Sequence, residues 1–274
     1  MHKNLKLAVI GHPISHSLSP LMFAELGRHI GGEISCARFD VRPSGLPHYL
    51  DRAKSLRLDG FNVTMPLKRE MFRLADIADA RAKATGAANA IKLSGGKFLA
   101  TNTDAPAFAA SLRANKIKIK CATAAVFGTG GAARASVYAL CEGGAATIYI
   151  VSRRDKKASA LADSFSKLYP HTVFKRGHKK ELTADIWINA TPAGMPGKAG
   201  CKIPLLPANA PSACAVDWVY SKAQTPFIRA ALKSGMKTVG GLEIFIRQAL
   251  ESWSFWSGER ISPRLYAAIE RTLR

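Results

Sequence analysis

The sequence lacks any apolar run long enough to cross a membrane as a helix. None of its uninterrupted hydrophobic stretches approaches the roughly 18 residues that such a span needs. The first residues, Met1 to Lys6, lead into a short strand-like run and not into the apolar segment of a signal peptide. We therefore expect a soluble, cytoplasmic protein with no membrane partner.

Cysteine is scarce, and its spacing forms no motif. The five cysteines are an odd number, and no two show the Cys-x-x-Cys spacing of zinc or redox sites. We expect reduced and mostly buried thiols. Two histidines, His12 and His16, lie close together, but the sequence offers no third ligand near them, so we predict no metal site. The cysteines are Cys36, Cys121, Cys141, Cys201 and Cys214.

Acidic side chains are also few. The 274 residues include 19 Asp and Glu against 40 Lys and Arg, which gives a formal net charge of +21. Such an excess can indicate nucleic-acid binding, but the basic residues are scattered and no basic run is interleaved with aromatic residues. We therefore predict no nucleic-acid partner and expect the charge to attract a phosphate-rich cofactor and an anionic substrate. Monomer and homodimer both stay open.

What the sequence does contain is a glycine-rich turn of the kind that binds dinucleotides. The segment Val126 to Arg134 continues a short apolar run and follows the pattern Gly-x-Gly-x-x-Ala. Gly128 permits the tight turn, Gly130 lets backbone N–H groups approach a pyrophosphate, and Ala133 lets the next helix lie close to the sheet. A helix predicted over Ala135 to Cys141 and the strand after it begin a β-α-β unit.

The residues after the second strand of this unit select the cofactor. NAD-binding versions place an acidic residue about 20 positions after the turn, where it holds the ribose 2′-hydroxyl. Here the strand is followed by Ser152-Arg153-Arg154-Asp155-Lys156-Lys157. Two guanidiniums, two ammoniums and a hydroxyl suit a 2′-phosphate, so we predict NADP rather than NAD. The alternative is a solvated basic loop. Asp155 is interpreted as the cap of the next helix.

Two loops in the first hundred residues carry candidate ligand-binding side chains. Ser17 and Ser19 lie just before or at the start of a helix predicted over Leu21 to His29, where hydroxyls either cap the helix or bind a small polar ligand. Lys68 lies near the start of a helix predicted to run to about Ala75. A lysine there opposes the helix dipole, so structure alone does not favour it, although it could be a solvated lysine.

Asp104 is the third candidate in this part of the chain. It follows a predicted strand and Thr101-Asn102-Thr103, and it precedes a helix predicted over Ala107 to Ala114. It could be only the cap of that helix. Paired with Lys68, however, its carboxylate would form a plausible proton-transfer pair.

The alternation of strands and helices along the chain predicts an α/β fold of two domains. We predict an N-terminal α/β substrate-binding domain over residues 1–104, completed by closing helices over residues 241–274. A Rossmann-like NADP-binding domain is predicted over residues 105–240.

Eight blocks of the sequence, in the same order and covering nearly the whole chain, resemble shikimate dehydrogenases. The match is specific because of the number and order of the blocks, since none of them is decisive alone. They are Pro13 to Pro20, Asn62 to Lys68, Gly86 to Asn89, Asn102 to Asp104, Gly128 to Ala133, Ser152 to Lys157, Asn189 to Pro192, and Gly241 to Gln248.

The resemblance implies an oxidoreductase that reversibly reduces 3-dehydroshikimate to shikimate with NADPH, in the shikimate pathway of aromatic amino-acid biosynthesis. It implies an active site in the cleft between the two domains, with Lys68 as the acid/base and Asp104 as its partner. For the substrate it implies Ser17, Ser19, Thr64 and Tyr220 near the carboxylate, and Asn89, Asp104 and Gln248 at the ring hydroxyls. The predicted cofactor-binding residues are Gly128, Thr129, Gly130, Gly131, Ala132, Ser152, Arg153, Arg154, Lys157, Thr191, Trp218 and Gly241.

Several positions depart from the pattern of this family. Among them are Ala80 in place of an acidic residue, Ala90 in place of Thr, Ser152 in place of Asn, and Ile244 in place of a Met that would touch the nicotinamide. These changes keep open a related dehydrogenase that acts on quinate or another cyclohexane polyol with NAD or NADP. A nucleotide sensor without turnover is disfavoured because both Lys68 and Asp104 are present.

Overall fold

The computed structural model describes residues 4–177, 182–195, 201–221, 223–260 and 262–273. The chain divides into two compact units. Unit 1 comprises Met1–Pro106 and Ile246–Arg274, and unit 2 comprises Ala107–Phe245. Unit 2 is therefore an insertion between two parts of unit 1.

The described residues form twelve β strands and ten α helices. The strands are β1 (Leu5–Gly11), β2 (Ile34–Asp40), β3 (Gly60–Val63), β4 (Ile77–Ala78), β5 (Ala90–Ser94), β6 (Lys97–Thr101), β7 (Thr123–Phe127), β8 (Thr147–Val151), β9 (Val173–Arg176), β10 (Ile186–Asn189), β11 (Cys214–Asp217) and β12 (Lys237–Val239). The helices are α1 (Ser19–Ile30), α2 (Leu46–Ser55), α3 (Lys68–Leu74), α4 (Ala80–Thr85), α5 (Asp104–Ala114), α6 (Gly131–Glu142), α7 (Asp155–Ser166), α8 (Pro226–Lys233), α9 (Gly241–Ser257) and α10 (Pro263–Leu273).

Unit 1 is built on a mixed sheet with the strand order β2-β1-β3-β5-β6-β4. β1 pairs in parallel with β2 and β3, whereas β5 pairs antiparallel with β3 and β6. The carboxyl ends of β1, β2 and β3 therefore lie at one edge of the sheet, where ligands bind in α/β folds. The loop between β1 and α1 and the segment between β3 and α3 both emerge at this edge.

The end of the chain completes the core of unit 1. Trp256, on α9, is buried, and its indole Nε1 donates a hydrogen bond to the backbone oxygen of Ile91 over 2.8 Å. A Cβ on Gly60 would lie 2.3 Å from the same Nε1, so glycine is required there for the indole to reach the sheet. Trp256 also contacts the ring of Phe23 on α1, with centroids 5.5 Å apart.

Unit 2 is a Rossmann-like sheet with the strand order β12-β11-β10-β7-β8-β9, and every pairing is parallel. Its central strands β7, β10 and β11 are mostly apolar and almost fully buried, because both faces of the sheet are covered there. Along β7, Ala124 and Val126 belong to one buried cluster, whereas Ala125 and Phe127 belong to another. This architecture agrees with the predicted α/β class.

The structure corrects several predicted boundaries. α5 begins at Asp104 and α6 at Gly131, earlier than the predicted Ala107 and Ala135. Asp155 is the first residue of α7 and not its cap, which is Arg154. The expectation of mostly buried thiols was also wrong, because among the five free cysteines Cys121 is exposed and two others are partly exposed. Within the described residues, no helix has the length and apolarity that a membrane crossing requires.

Candidate active site

Lys68 and Asp104 form an ion pair in unit 1. The ammonium Nζ of Lys68 lies 2.5 Å from Oδ2 of Asp104. The Asp104 side chain is 2% exposed and that of Lys68 is 16% exposed. A carboxylate this deeply buried requires a positive partner, and the lysine supplies it while keeping a small accessible surface. The two residues predicted as a proton-transfer pair are thus brought together.

The local structure directs both side chains. Lys68 is the first residue of α3, and its backbone oxygen accepts a hydrogen bond from the N–H of Ala88 over 2.9 Å. At the start of α5, Oδ1 of Asn102 accepts from the N–H of Ala105 over 3.0 Å. Because Asn102 takes this capping role, the interpretation of Asp104 as only a helix cap is wrong.

Asn89 connects this ion pair to α9. Its Nδ2 lies 3.1 Å from Oδ1 of Asp104, 2.8 Å from Oγ1 of Thr103 and 3.2 Å from Oε1 of Gln248. Its Oδ1 accepts from the backbone N–H of Thr103 over 2.7 Å. Three of the predicted substrate-binding residues, Asn89, Asp104 and Gln248, therefore lie in one hydrogen-bonded cluster with Lys68.

Sequence reasoning missed two members of this cluster, Thr103 and Ser252, which contact each other and Asn62. The hydroxyl of Ser252 donates to the backbone oxygen of Gln248 over 2.8 Å and lies 3.0 Å from Oγ1 of Thr103. It also accepts from Nδ2 of Asn62 over 2.9 Å. Ser252 lies one helical turn after Gln248, and this spacing was its only signal in the sequence. Its contacts with Asn62 and Thr103 depend on the folded chain.

Ser17, Ser19 and Thr64 lie at the carboxyl edge of the same sheet. Ser17 and Ser19 are buried, and the hydroxyl of Ser17 lies 3.2 Å from that of Ser19 and accepts from the N–H of Ser19. Neither caps α1 by the usual arrangement, since the cap residue is Leu18. Thr64 is half-buried, and a Cβ on Gly11 would lie 2.3 Å from its methyl carbon. The two loops therefore approach closely at this point.

The glycine-rich turn of unit 2 has two different glycines. Gly128 has φ +116°, and a Cβ there would lie 2.7 Å from the backbone oxygen of Ala190, so both conformation and packing require glycine. Gly130 has an ordinary φ, and a Cβ there would meet no atom of another described residue within 4 Å. Neither strain nor packing within the described residues explains Gly130. The open space above it is what a close-lying phosphate would use.

The start of α6 is prepared for an anion. Gly130 caps the helix without a side-chain hydrogen bond, and the first turn, which contains Gly131 and Ala132, has no acidic residue. Its backbone N–H groups and the positive end of the helix dipole therefore stay available. Thr129 beside them is half-buried, and Ala133 is fully buried against the sheet.

A group of basic residues follows β8. Arg153, Arg154 and Lys157 are exposed, and none of them forms an ion pair with another described residue. The hydroxyl of Ser152 accepts from the backbone N–H of Arg154 over 3.2 Å. The basic group lies at the carboxyl end of β8, beside the carboxyl end of β7 that carries the glycine turn.

The remaining candidates of unit 2 make contacts within that unit. The indole of Trp218 donates to Oγ of Ser136 over 2.8 Å and stacks on Phe108, with centroids 5.8 Å apart. Gly241 begins α9, and a Cβ there would lie 2.5 Å from the backbone oxygen of Val219, so packing alone requires this glycine. Tyr220 is half-buried, and its ring lies 4.8 Å from that of Phe245. The hydroxyl of Thr191 donates to Oδ1 of Asn189 over 2.7 Å.

Asp217, at the end of β11, is a buried carboxylate that the sequence analysis did not single out. It accepts hydrogen bonds from Nδ2 of Asn189, the N–H of Val219 and the hydroxyl of Thr225. Burial raises its pKa from 3.8 to about 6, although these three donors act in the opposite direction. The network joins the loops after β10 and β11 to the start of α8.

The raised pKa of Asp217 predicts a loss of stability as the pH rises. The folded state binds this proton more tightly than the unfolded state, so the stabilisation is present below the unfolded pKa and is lost through the folded pKa. We expect the free energy of unfolding of the native chain to fall by up to about 3 kcal/mol relative to Asp217→Asn between about pH 4 and pH 7.5. Denaturant unfolding of both proteins at each pH measures this difference.

A matched control for this titration is Asp163→Asn, which removes an exposed carboxyl from α7 of the same unit. Its pH dependence should follow that of the native chain. Parallel pH profiles for the native chain and Asp217→Asn would contradict the assignment of the raised pKa to Asp217.

The fold and the two clusters together define a class of protein. The parallel sheet of unit 2 carries a glycine turn and a basic group at its carboxyl edge, and unit 1 holds a buried lysine–carboxylate pair. This combination is typical of a dinucleotide-dependent oxidoreductase of the α/β type. The chain belongs to the shikimate dehydrogenase family.

Comparison with known proteins carries this assignment. The family model described as shikimate dehydrogenase substrate binding domain matches residues 9–91. The shikimate dehydrogenase (NADP(+)) of Ignicoccus hospitalis is 37% identical over 267 residues, which are 97% of this chain and 97% of that protein. The crystal structure of shikimate 5-dehydrogenase from Thermus thermophilus in complex with NADP(H) and shikimate is 32% identical, covers 98% and 100% of the two chains, and has a TM-score of 0.85.

A protein with a different named activity shares the fold. The 5-ketofructose reductase of Gluconobacter sp. strain CHM43 is 26% identical, covers 99% of each chain and has a TM-score of 0.83. The family, the two-domain α/β fold and the oxidoreductase class predicted from the sequence are thus confirmed.

Proposed function

We propose that the protein is an NADP-dependent shikimate dehydrogenase that reversibly reduces 3-dehydroshikimate to shikimate. The observation that carries the proposal is the ion pair between Lys68 and the buried carboxylate of Asp104, 2.5 Å apart, within a cluster of hydrogen-bonding side chains. Relatives that are 37% and 34% identical over nearly their full length are NADP-dependent enzymes of this name.

The residues of unit 2 fit NADP. The open space at Gly130 and the uncapped start of α6 suit the pyrophosphate, since both offer backbone N–H groups to an anion. Arg153, Arg154 and Lys157 would hold the 2′-phosphate, with Ser152 beside them. When bound, NADP supplies or accepts the hydride. The protein contributes the orientation of the cofactor and the positive field around its phosphates.

In this proposal Lys68 moves the proton. Its ammonium has three N–H bonds, and among the described residues Asp104 accepts from one of them. The other two can point to the substrate oxygen. Lys68 donates a proton to that oxygen as the carbonyl becomes a hydroxyl, and it takes the proton back in the reverse direction. Its positive charge also stabilises the developing alkoxide.

Asp104 and its neighbours orient the lysine and the ring. The carboxylate fixes Nζ by a charge-assisted hydrogen bond, and Asn89 holds the carboxylate in turn. The Nδ2 group of Asn89 has two hydrogens for three acceptors. Gln248 is the most distant of these acceptors at 3.2 Å. A substrate hydroxyl would therefore most readily enter between Asn89 and Gln248.

The carboxylate of the substrate would bind at the segment between β1 and α1 that carries Ser17 and leads into Ser19, here called the serine loop. Ser17 donates to Ser19, which leaves the hydroxyl hydrogen of Ser19 for an anion. Thr64 lies at the same edge of the sheet and would assist. The role of Tyr220 stays a prediction from the family resemblance.

A second candidate is a related dehydrogenase with a different polyol substrate or with NAD. The structural relative that is a 5-ketofructose reductase supports this alternative, because a likeness in fold extends to another carbonyl substrate. The experiment that separates the two measures kcat/KM for shikimate and quinate with NADP and NAD in all four combinations. Highest turnover of shikimate with NADP is expected, and preference for quinate would support the second candidate.

Arg153→Ala should weaken NADP far more than NAD. Removing one charge-assisted contact with a phosphate costs about 1.5–3 kcal/mol, so KM for NADP should rise about 10- to 100-fold. KM for NAD should change less than about threefold, because NAD has no 2′-phosphate. Steady-state kinetics with both cofactors measure the two values.

The matched control is Lys167→Ala, which removes one exposed charge at the far end of α7. It should leave both KM values near those of the native enzyme. Equal losses with NADP and NAD in Arg153→Ala would refute the 2′-phosphate assignment.

A further inference from the structure

Arg38, an exposed residue on the edge strand β2, makes an unusual contact with the serine loop. Its Nε and Nη2 both donate to the backbone oxygen of Ser17, over 3.0 and 2.7 Å. The guanidinium therefore donates two of its five N–H groups to a single carbonyl oxygen. The hydroxyl of the same Ser17 forms a pair with that of Ser19.

The contact joins the edge strand β2 to the loop between β1 and α1. Ser17 lies 21 residues before Arg38 in the chain, in the irregular segment between β1 and α1. The N–H of Ser17 donates to the backbone oxygen of Ile14 over 3.0 Å. With its oxygen held by Arg38, the backbone of Ser17 is fixed at both polar groups, and its hydroxyl is held in turn by the hydroxyl and the N–H of Ser19.

Within the part of the chain that the structure describes, no carboxylate forms an ion pair with Arg38. The acidic residue nearest to it on the same strand is Asp40, whose Oδ1 lies 2.6 Å from Nδ1 of His12. This cation thus contacts the backbone of Ser17, whose hydroxyl we assign, with that of Ser19, to the substrate carboxylate.

From these contacts we infer that Arg38 is a positioning and specificity-determining residue of the substrate site. It holds the Ser17–Ser19 hydroxyl pair in place and makes this end of the site selective for a carboxylate over a neutral group. The inference rests on the proposed function, since it takes the ligand of the serine loop to be a cyclohexene carboxylate. A guanidinium is suited to this role because it keeps its charge and its planar fork at any physiological pH.

The test compares Arg38→Ala, Arg38→Lys and Arg38→Gln in the full-length enzyme. We expect Arg38→Ala to raise KM for shikimate about tenfold, the size typical for loss of a charged hydrogen-bonding group, with kcat changed less than about threefold. KM for NADP should not change. Arg38→Lys keeps the charge but loses the fork, so its KM should lie between those of the native enzyme and Arg38→Ala.

A neutral substrate distinguishes the effect of the Arg38 charge on KM from the effect of its contacts with the loop. With the methyl ester of shikimate, the KM ratio between Arg38→Ala and the native enzyme should shrink to less than about threefold, since the ester has no anion to attract. The matched control is Arg52→Ala, which removes an equal charge from the same unit. The native Arg52 side chain contacts Phe39 of β2 and not the serine loop. Arg52→Ala should leave both KM values unchanged.

The outcomes separate this inference from the proposed function. A native enzyme that does not turn over shikimate would overturn the proposed function. If the native enzyme turns over shikimate and KM for shikimate is unchanged in Arg38→Ala and Arg38→Gln, the proposed role of Arg38 is overturned. An equal rise in KM for acid and ester would overturn its selectivity for the carboxylate. Thermal unfolding checks that each variant is folded, and Arg38→Lys decides the question if the smaller side chains do not fold.

Discussion

Lys68→Ala should lower kcat for shikimate oxidation by about 10³-fold, within the range of 10²–10⁴ that general acid–base catalysis contributes. The substitution removes the group that we propose to move the proton and leaves the hydride chemistry of NADP in place. Because the residues assigned to the phosphates of NADP are unchanged, KM for NADP should stay within about threefold of the native value. Steady-state kinetics in both directions measure these values.

The control for Lys68→Ala is Lys83→Ala, which removes an exposed lysine from α4 of the same unit. This variant should retain native kcat. The buried Asp104 carboxylate loses its partner in Lys68→Ala, so a reduced thermal stability is also expected. Full activity of a folded Lys68→Ala enzyme would exclude Lys68 as the acid/base.

Asp104→Asn should lower kcat about 10²-fold while keeping the shape of the side chain. The amide that replaces the carboxylate removes the charge that holds Nζ, and its own N–H groups repel the ammonium if they face it. The lysine then loses the orientation needed to reach the substrate oxygen, and an orientation error of this kind commonly costs about 10² in rate.

The double variant Lys68→Ala/Asp104→Asn distinguishes a shared role from two separate roles. If Asp104 acts through Lys68, the double variant should be no slower than Lys68→Ala alone, because members of one catalytic unit are not additive. Multiplied losses would show that Asp104 acts independently, for example by binding a ring hydroxyl. The same four proteins should be compared at saturating shikimate and NADP.

The fold was largely predictable because its strands and helices have clear local signals. Proline lies in the first turn of both α2 and α10, and Gly240 directly follows β12, so each of these bounds has a local signal. The two-residue strand β4 and the exposed edge strand β9 were not predicted, because neither has the buried apolar run of a central strand.

The early starts of α5 and α6 show a different limit. Glycine, proline and aspartate have low helix propensity, so the sequence placed them in the loops before each helix. In the structure these residues form the first turns, at Asp104 and Gly131. The first turn of a helix tolerates them because its N–H groups need no partner within the helix.

The candidate site was predictable to the extent that it lies in short motifs. Lys68, Asp104 and the glycine turn were identified from spacing, helix ends and resemblance. Ser252 and Arg38 were not, because their importance comes from contacts with residues such as Thr103 and Ser17 that only the fold brings near. Asp217 was passed over for the same reason, since its burial is a property of the assembled sheet.

The place of Trp256 at the sheet of unit 1 has a consequence for biosynthesis of the chain. The ribosome translates α9 nearly two hundred residues after β3. This helix carries Trp256, which packs at Gly60, and also Gln248 and Ser252. Unit 2 is complete on the ribosome before they emerge, so it can fold while the sheet of unit 1 is still without α9 and α10. A transcript truncated near its 3′ end would therefore yield an intact unit 2 in a chain whose unit 1 cannot close its core.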